Sequence, residues 1–303
     1  MKKLSEVLDR SLVHNRKNID MMSALTTEQA ILKTMQTEKG RKNAFLCYYE
    51  WDVSDAYRRF ASSEEWLAVL GLLSKYNPPS SSALDLGAGN GMASYALEKS
   101  GYSVTSLEPD PSELVGFGAM KNFKSDNDLN VLSVSGIGEF LPFKDQSFGL
   151  VYCRQVLHHA ADLQRMASEI NRVLIPGGIF IATREHVVDD KESLRLFLEN
   201  HALHKYTQAE GAFSVEEYLQ ALQSSNMRIL KTLLSWDSVI NHYPVSNADM
   251  KNRTRKFVNK KFGRIGKAIP LIPSVVNYCR HQLSMIDKTP GRMISIVSTK
   301  VRN

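Results

Sequence analysis

The stretch Ala83-Leu84-Asp85-Leu86-Gly87-Ala88-Gly89-Asn90-Gly91 decides the fold of this chain. Apolar residues lead into an acidic one, and three glycines then alternate with other residues. A helical pattern begins at Met92, and a second acid, Glu108, ends the next apolar run. This order predicts a strand, a tight glycine turn, a helix and a second strand, which is the layout of a nucleotide-binding βαβ unit.

The acids on either side of the glycines narrow the class of ligand. Asp85 lies directly before the turn, where its negative charge would repel the pyrophosphate of a dinucleotide. That position suits a ligand with an ammonium or sulfonium group, and S-adenosylmethionine is such a ligand. Glu108 is placed to accept hydrogen bonds from ribose hydroxyls in either ligand class. We therefore expect a cationic nucleoside cofactor.

Seven short apolar runs predict the fold class, and the first five of them lie at the spacing of βα units. They are Ala83–Leu86, Val104–Leu107, Val131–Val134, Phe148–Cys153, Ile179–Thr183, Met227–Leu234 and Met293–Val297. Strands that alternate with helices predict a mostly parallel sheet with both faces covered. The predicted fold is α/β, with a doubly wound, Rossmann-like sheet of seven strands. Pro176-Gly177-Gly178 is interpreted as a turn that introduces the fifth strand.

The composition along the chain predicts four segments. Residues 1–80 contain no convincing strand and are predicted to form an N-terminal helical cap, and residues 81–235 are predicted to form the cofactor-binding core. About sixty residues separate the last two strands, which is too long for a bare loop. Residues 236–290 are therefore predicted to be a basic helical insert that caps the substrate site, and residues 291–303 to supply the last strand.

Bulk properties limit the class of protein. The chain has 303 residues and a formal net charge of +6, which falls short of a nucleic-acid-binding signature. Three widely separated cysteines have no metal-ligand spacing and fit a reducing compartment. The N-terminal residues lack the pattern of a signal peptide, and no apolar run is long enough to span a bilayer. We expect a soluble, cytoplasmic protein.

An ordered set of motifs resembles those of the class I S-adenosylmethionine-dependent methyltransferases that act on small molecules. The motifs are Ala83–Gly91, Leu107–Asp110, Gly136–Phe143, Ser147–Val151, Val156–His159 and Arg172–Gly178. The resemblance covers about residues 52 to 182. It implies S-adenosylmethionine as the cofactor and a last strand that runs antiparallel to the others.

The resemblance also implies which residues contact the cofactor. They are Asp85, Gly87, Ala88, Gly89, Glu108, Ile137, Gly138, Arg154 and Gln155. Two positions depart from the family pattern. Ile137 stands where the family usually has an acid that hydrogen-bonds the adenine amino group, and Gly149 stands where it usually has an aspartate. Adenine is therefore expected to be held by packing and by backbone groups.

Histidines at the carboxyl edge of the predicted sheet are the candidates for catalysis. A hydroxyl acceptor needs a general base, and histidine suits that role near neutral pH. His158 and His159 follow the fourth predicted strand, and Glu185 and His186 follow the fifth, where ligands of open α/β sheets bind. The alternative for each histidine is a hydrogen-bonded structural role.

No metal site is predicted. His201 and His204 are expected to share a helical face with Glu210 nearby, but the spacing offers no convincing third ligand. This segment is interpreted as a face that is solvated or lines the substrate.

Eight basic residues and no acid lie between Lys251 and Lys267. Val258, Phe262, Ile265 and Ile269 recur on one predicted helical face, which indicates a basic amphipathic helix. Three interpretations stay open: a solvated helix packed on the core, peripheral contact with an anionic membrane, or recognition of an anionic or phosphate-linked acceptor.

The predicted function is O-methylation of a small molecule, such as a sugar, glycoconjugate or secondary metabolite. The alternatives are transfer to nitrogen or carbon, and a non-catalytic regulatory protein that binds the cofactor. No nucleic-acid partner is expected. The oligomeric state stays open.

Overall fold

A computed structural model describes residues 25–126, 129–207, 210–242, 244–268 and 272–302. The strands are β1 (Ser82–Leu86), β2 (Ser103–Leu107), β3 (Val131–Val134), β4 (Phe148–Arg154), β5 (Leu174–Val187), β6 (Met227–Leu233) and β7 (Arg292–Lys300). They form one sheet in the order β3-β2-β1-β4-β5-β7-β6. The first five strands are parallel, and β7 runs antiparallel between β5 and β6. The predicted seven-stranded, doubly wound fold class is confirmed.

Helices cover both faces of this sheet. In the described part of the chain they are α1 (Thr27–Thr34), α2 (Glu38–Leu46), α3 (Val53–Ala61), α4 (Glu64–Tyr76), α5 (Met92–Lys99), α6 (Phe117–Asp126), α7 (Leu163–Val173), α8 (Lys191–Asn200), α9 (His204–Thr207), α10 (Val215–Ser224), α11 (Asn247–Ala268) and α12 (Pro273–Ile286). Short 3-10 turns span Leu157–His159 and Val239–Asn241.

The hydrophobic core has two halves because the sheet buries both of its faces. On one face, Tyr57, Phe60 and Trp66 from α3 and α4 are fully buried against the sheet, α5 and α6. On the other face, α7 and α10 bury residues such as Ile170 and Tyr218. Packing on both faces fixes the positions of the strand ends. Binding and catalytic residues often lie on the loops that follow such strand ends.

The fifth strand is much longer than predicted. Pro176–Gly178 lies inside β5, and Arg184, Glu185 and His186 belong to the strand rather than to the loop after it. The prediction for both segments was wrong. Leu174 already pairs with Phe148 of β4, so β5 begins before Pro176, and β7 pairs with β5 from Ile179 as far as Val187. The register shifts between Ala182 and Glu185, and Arg184 there has a φ of 61°. This bulge changes the direction in which the following side chains point.

The basic run lies on α11. Met250, Thr254 and Val258 are fully buried, so the described apolar face of the helix packs on the protein. The other residues of the predicted face, Phe262, Ile265 and Ile269, lie outside the side chains that the structure describes. Among the described helices, none combines the length and the apolar character needed to cross a membrane.

A buried ion pair joins the N-terminal helices to the sheet. Arg154, at the end of β4, donates from Nε and Nη2 to the two carboxylate oxygens of Glu65 at 2.7 and 3.1 Å. Arg184 Nη1 lies 3.8 Å from the same carboxylate. The Glu65 side chain has no exposed surface. The α4 helix is therefore held against the carboxyl edge of the sheet by charge as well as by apolar packing.

Replacing Glu65 with glutamine should lower the free energy of unfolding by about 3 kcal/mol, since it leaves two buried guanidinium groups without their counter-charge. Chemical denaturation measures the change. Glu64→Gln, on the exposed side of the same helical turn, is the control and should cost less than about 1 kcal/mol. Equal effects of the two substitutions would contradict a stabilising role for the buried pair.

Candidate active site

A cleft of about 480 Å³ opens at the carboxyl ends of β1 to β4. This volume lies within the range of small-molecule sites, which is about 300–1,000 Å³. All of the predicted cofactor residues line it: Asp85, Gly87, Ala88, Gly89, Glu108, Ile137, Gly138, Arg154 and Gln155. Of the predicted catalytic residues, His158, His159 and His186 also line the cleft. One cavity therefore holds most of the residues that were selected from separate parts of the sequence.

The glycine loop and Glu108 form one hydrogen-bonded unit. One oxygen of Glu108 accepts from the backbone N–H of Gly89 at 2.7 Å, and the other accepts from the N–H of Asp110 at 2.9 Å. Each carboxylate oxygen can accept a further hydrogen bond, as a pair of ribose hydroxyls requires. Gly87 has a φ of 66°, and a Cβ atom there would lie 2.5 Å from Val156 Cγ2. The loop therefore needs glycine at this position.

The N-terminal helices fix the far side of the loop. Asn90 Nδ2 donates to the backbone oxygen of Tyr48 at 2.8 Å. The Tyr57 hydroxyl donates to the backbone oxygen of Asn90. Both contacts are buried, so the position of the glycine loop depends on residues more than thirty positions earlier in the chain.

Asp85 is a buried acid with few partners. Its side chain accepts a hydrogen bond from Ser94 Oγ at 2.5 Å, and Ser94 in turn lies 2.6 Å from Ser106 Oγ. Burial raises the pKa of Asp85 to about 7. A cation in the cleft would favour the ionised carboxylate and lower this pKa again. The environment of Asp85 therefore fits a positively charged ligand.

The loop after β3 contributes Ile137 and Glu139 to the lining of the cleft. Ile137 lines the cleft and remains about half exposed, at 47%. Glu139, two residues later, instead accepts a hydrogen bond from the backbone N–H of Ala161 at 2.9 Å. Glu139 therefore anchors the loop before α7 and also lines the cleft.

The other end of the cleft is organised by a buried carboxylate. Glu185 Oε2 lies 2.8 Å from Nδ1 of His158, and the backbone N–H groups of Val156 and His158 donate to the carboxylate at 3.1 and 3.2 Å. Burial alone would raise the pKa of Glu185, but these hydrogen bonds hold it below its usual value. An ionised Glu185 can only accept, so the His158 ring carries a proton on Nδ1, and in the neutral ring the lone pair is on Nε2.

A second acid approaches His158 from the opposite side. Glu210 Oε2 lies 3.9 Å from His158 Nε2 and 4.0 Å from His159 Nε2, and Glu210 Oε1 lies 3.8 Å from His201 Nδ1. The segment that contains Glu210 can come this close to His158 because the next residue, Gly211, has no side chain. A Cβ atom at Gly211 would lie 2.6 Å from the His158 backbone oxygen. The proximity of Glu210 to His158 was not predicted, and Gly211 was the available signal in the sequence that the main chain comes close to another segment here.

His186 and His204 have different surroundings from those predicted. His186 Nδ1 lies 2.8 Å from the backbone oxygen of Gly291, and burial lowers the pKa of His186 to about 3. It is therefore a neutral, packed ring near physiological pH. His201 and His204 do not share a helix, because α8 ends at Asn200 and α9 begins at His204. That prediction was wrong.

The cleft is covered by the N-terminal helices and by the segment after α8. Thr27, Cys47 and Tyr49 line it from one side, and Leu203 and Thr207 from the other. The two sides meet where Leu25 N donates to the backbone oxygen of Tyr206 at 3.1 Å. No described residue between 236 and 290 lines the cleft, so recognition of the acceptor by that segment stays a prediction.

Comparison with known proteins agrees with this fold and site. Residues 84–182 match the family model described as a methyltransferase domain. Sterol 24-C-methyltransferase from Gibberella zeae is 29% identical over 231 residues, covering 71% of this chain and 59% of that protein. A mitochondrial arginine-hydroxylase from Homo sapiens is 37% identical over 99 residues, covering 33% of this chain and 27% of that protein. This chain thus spans well under two thirds of both relatives.

Solved structures show the same fold. Geranyl diphosphate methyltransferase in complex with S-adenosylmethionine superposes with a TM-score of 0.51 at 13% identity, over 78% of this chain and 85% of that one. The sheet and the glycine loop are those of a Rossmann-like α/β domain. The match to the methyltransferase family model covers about a third of the chain, residues 84–182. S-adenosylmethionine remains the predicted cofactor, and the acidic, glycine-lined cleft described above fits it.

The buried acid at position 85 makes stability depend on pH. A carboxyl group whose pKa is raised on folding stabilises the protein fully below its unfolded pKa, and that contribution is lost as the pH rises through the folded pKa. We expect the wild type to lose up to about 4 kcal/mol relative to Asp85→Asn between pH 4 and pH 8, at about 1.4 kcal/mol per pKa unit. Urea unfolding of both proteins without cofactor measures this difference. Parallel pH profiles would contradict the raised pKa.

Proposed function

We propose that this protein transfers a methyl group from S-adenosylmethionine to a hydroxyl oxygen of a small molecule. The observation that carries the proposal is the buried Glu185–His158 pair, which directs the Nε2 lone pair of His158 into the cleft that also contains the glycine loop. A hydroxyl acceptor must lose its proton as its bond to carbon forms, and a neutral His158 would accept that proton at Nε2.

Residues at one end of the cleft would bind the cofactor, and residues at the other end would orient the acceptor. When bound, the cofactor supplies an electrophilic methyl group on a sulfonium. Asp85 would compensate the positive charge, and Glu108 would hold the ribose hydroxyls. His158 would orient the acceptor oxygen, and the covering segments with Tyr49 and Leu203 would exclude water. Correct orientation of two reactants can contribute about 7–11 kcal/mol.

The names of the relatives leave other reactions open. The sterol enzyme is named for transfer to carbon, and the human relative is named for hydroxylation. Oxygen is favoured here because the acceptor end of the cleft contains His158 and His159 with Glu185 and Glu210. A carbon or amine nucleophile has less need of such an arrangement.

His158→Gln should reduce kcat for a hydroxyl acceptor by about 100-fold or more, which is typical when a group that handles the acceptor proton is removed. The assay follows radiolabelled methyl transfer to a panel of sugars, glycoconjugates and phenols. His204→Gln is the matched control, because His204 lies in the same region but outside the cleft lining. Cofactor binding should persist in both variants.

Two results would contradict this assignment. Full activity of His158→Gln would remove His158 from the reaction. Methylation of amine acceptors alone, or cofactor binding by the wild type without transfer to any acceptor, would favour the alternatives instead.

We further infer that the acceptor is anionic or phosphate-linked. A surface hollow on α11 is lined by Arg253 and Lys256 together with Asn252 and Asp249. Replacing Arg253 and Lys256 with glutamine should raise KM for a phosphorylated acceptor and leave KM for the cofactor unchanged. A neutral acceptor methylated equally well by both proteins is the control. An unchanged KM for the phosphorylated acceptor would contradict this role.

A further inference from the structure

We propose that His158, His159 and Glu210 form a binding site for one divalent transition-metal cation at the acceptor end of the cleft. One candidate ligand atom from each of these residues lies within 4.8 Å of the other two. The site itself is argued from geometry alone. A bound ion would occupy the Nε2 lone pair of His158 and would hold the acceptor oxygen in place of that ring, so the role of the ion rests on the proposed function.

The distances are close to those of a coordinated ion. Two ligand atoms around a tetrahedral Zn²⁺ lie about 3.4 Å apart. Glu210 Oε2 lies 3.9 Å from His158 Nε2 and 4.0 Å from His159 Nε2. The three ligand atoms lie within 4.8 Å of one another, so rotation of the Glu210 carboxylate and of the more exposed His159 ring would be needed to close the difference. The main chain need not move, since the Glu210 segment is already in close contact with His158 through Gly211.

The surroundings of His158 are those of a metal ligand. A metal-binding histidine usually donates its second ring N–H to a carboxylate or carbonyl oxygen, which sets the tautomer and the direction of the ring. Glu185 accepts from His158 Nδ1 at 2.8 Å and is completely buried. Because Nδ1 carries the proton, Nε2 is the atom that offers a lone pair, and it is the atom that faces Glu210.

Electrostatics favours a positive charge between these groups. In the neutral His158 ring the Nε2 lone pair and the Glu210 carboxylate are both acceptors, and these two atoms lie 3.9 Å apart. A cation bound by His158, His159 and Glu210 Oε2 would satisfy both of them. His201 lies on the other side of the carboxylate, with its Nδ1 3.8 Å from Glu210 Oε1, and is not one of the three ligands.

The proposed site is buried where His158 and Glu210 lie and exposed where His159 lies. The His158 side chain is 2% exposed and that of Glu210 is 11% exposed, whereas that of His159 is 43% exposed. Two imidazoles and one carboxylate with a remaining open position form the ligand set of many catalytic zinc and iron(II) sites. The open position faces the cleft, where an acceptor hydroxyl would enter.

Direct metal binding tests the site. Untagged protein is stripped with a chelator and dialysed, and Zn²⁺ and Co²⁺ are then added separately. Calorimetry and elemental analysis measure affinity and stoichiometry, and the visible spectrum of bound Co²⁺ reports the coordination. We expect one ion per chain. Glu210→Gln should weaken binding by about 100-fold or more, and Glu185→Gln by about 10–100-fold, as for other outer partners of metal ligands.

His204→Gln is the matched control and should bind the ion as the wild type does, because His204 belongs to the same segment but not to the three-residue site. Binding of S-adenosylhomocysteine and the melting temperature show whether each variant is folded. Absence of stoichiometric binding by the folded wild type would overturn the site. So would equal affinity in Glu210→Gln, and either result would indicate that a proton on His158 bridges the two carboxylates.

The same experiment separates this site from the proposed function. Metal-free wild type that methylates a hydroxyl acceptor at full rate, while no ion binds, overturns the metal site and leaves the methyl-transfer proposal intact. An ion that binds with the expected stoichiometry, in a protein that methylates no hydroxyl acceptor, supports the site and overturns the proposed function.

Discussion

The buried carboxylate of Glu185 is the constraint on which the acceptor end of the cleft depends. It accepts hydrogen bonds from the backbone N–H groups of Val156 and His158 and from the His158 ring. Leaving an ionised carboxylate buried without these donors would cost several kcal/mol. The turn after β4 is therefore held in the one arrangement that directs its N–H groups toward β5. The orientation of the His158 ring follows from that arrangement.

The cofactor end depends on a different set of long-range contacts. Asn90 in the glycine loop is held by Tyr48 and Tyr57, and Arg154 at the end of β4 is held by Glu65. The N-terminal helices are therefore part of the site, because they fix the loop and the strand end that surround the cofactor. The two ends of the cleft are joined by β4, which ends at Arg154, shortly before His158.

Most of the fold and the cofactor side of the site followed from local patterns. The glycine loop needs residues that tolerate positive φ or close contact, and Glu108 must follow the next strand, so both can be read from spacing. The length of β5 could not be predicted in the same way. Pro176–Gly178 resembles a turn locally, and only pairing with β7, more than a hundred residues later, keeps Glu185 and His186 in the strand.

The sequence by itself predicted the sheet and a set of residues that line one cleft, because each depends on short-range periodicity or on one motif. Tertiary structure alone decided that Glu185 and Glu210 approach His158 from opposite sides. It also decided that His186 is a buried neutral ring and that His201 and His204 occupy separate elements. These relationships depend on burial and on contacts between distant strands and loops, and neither is contained in the spacing of residues along the chain.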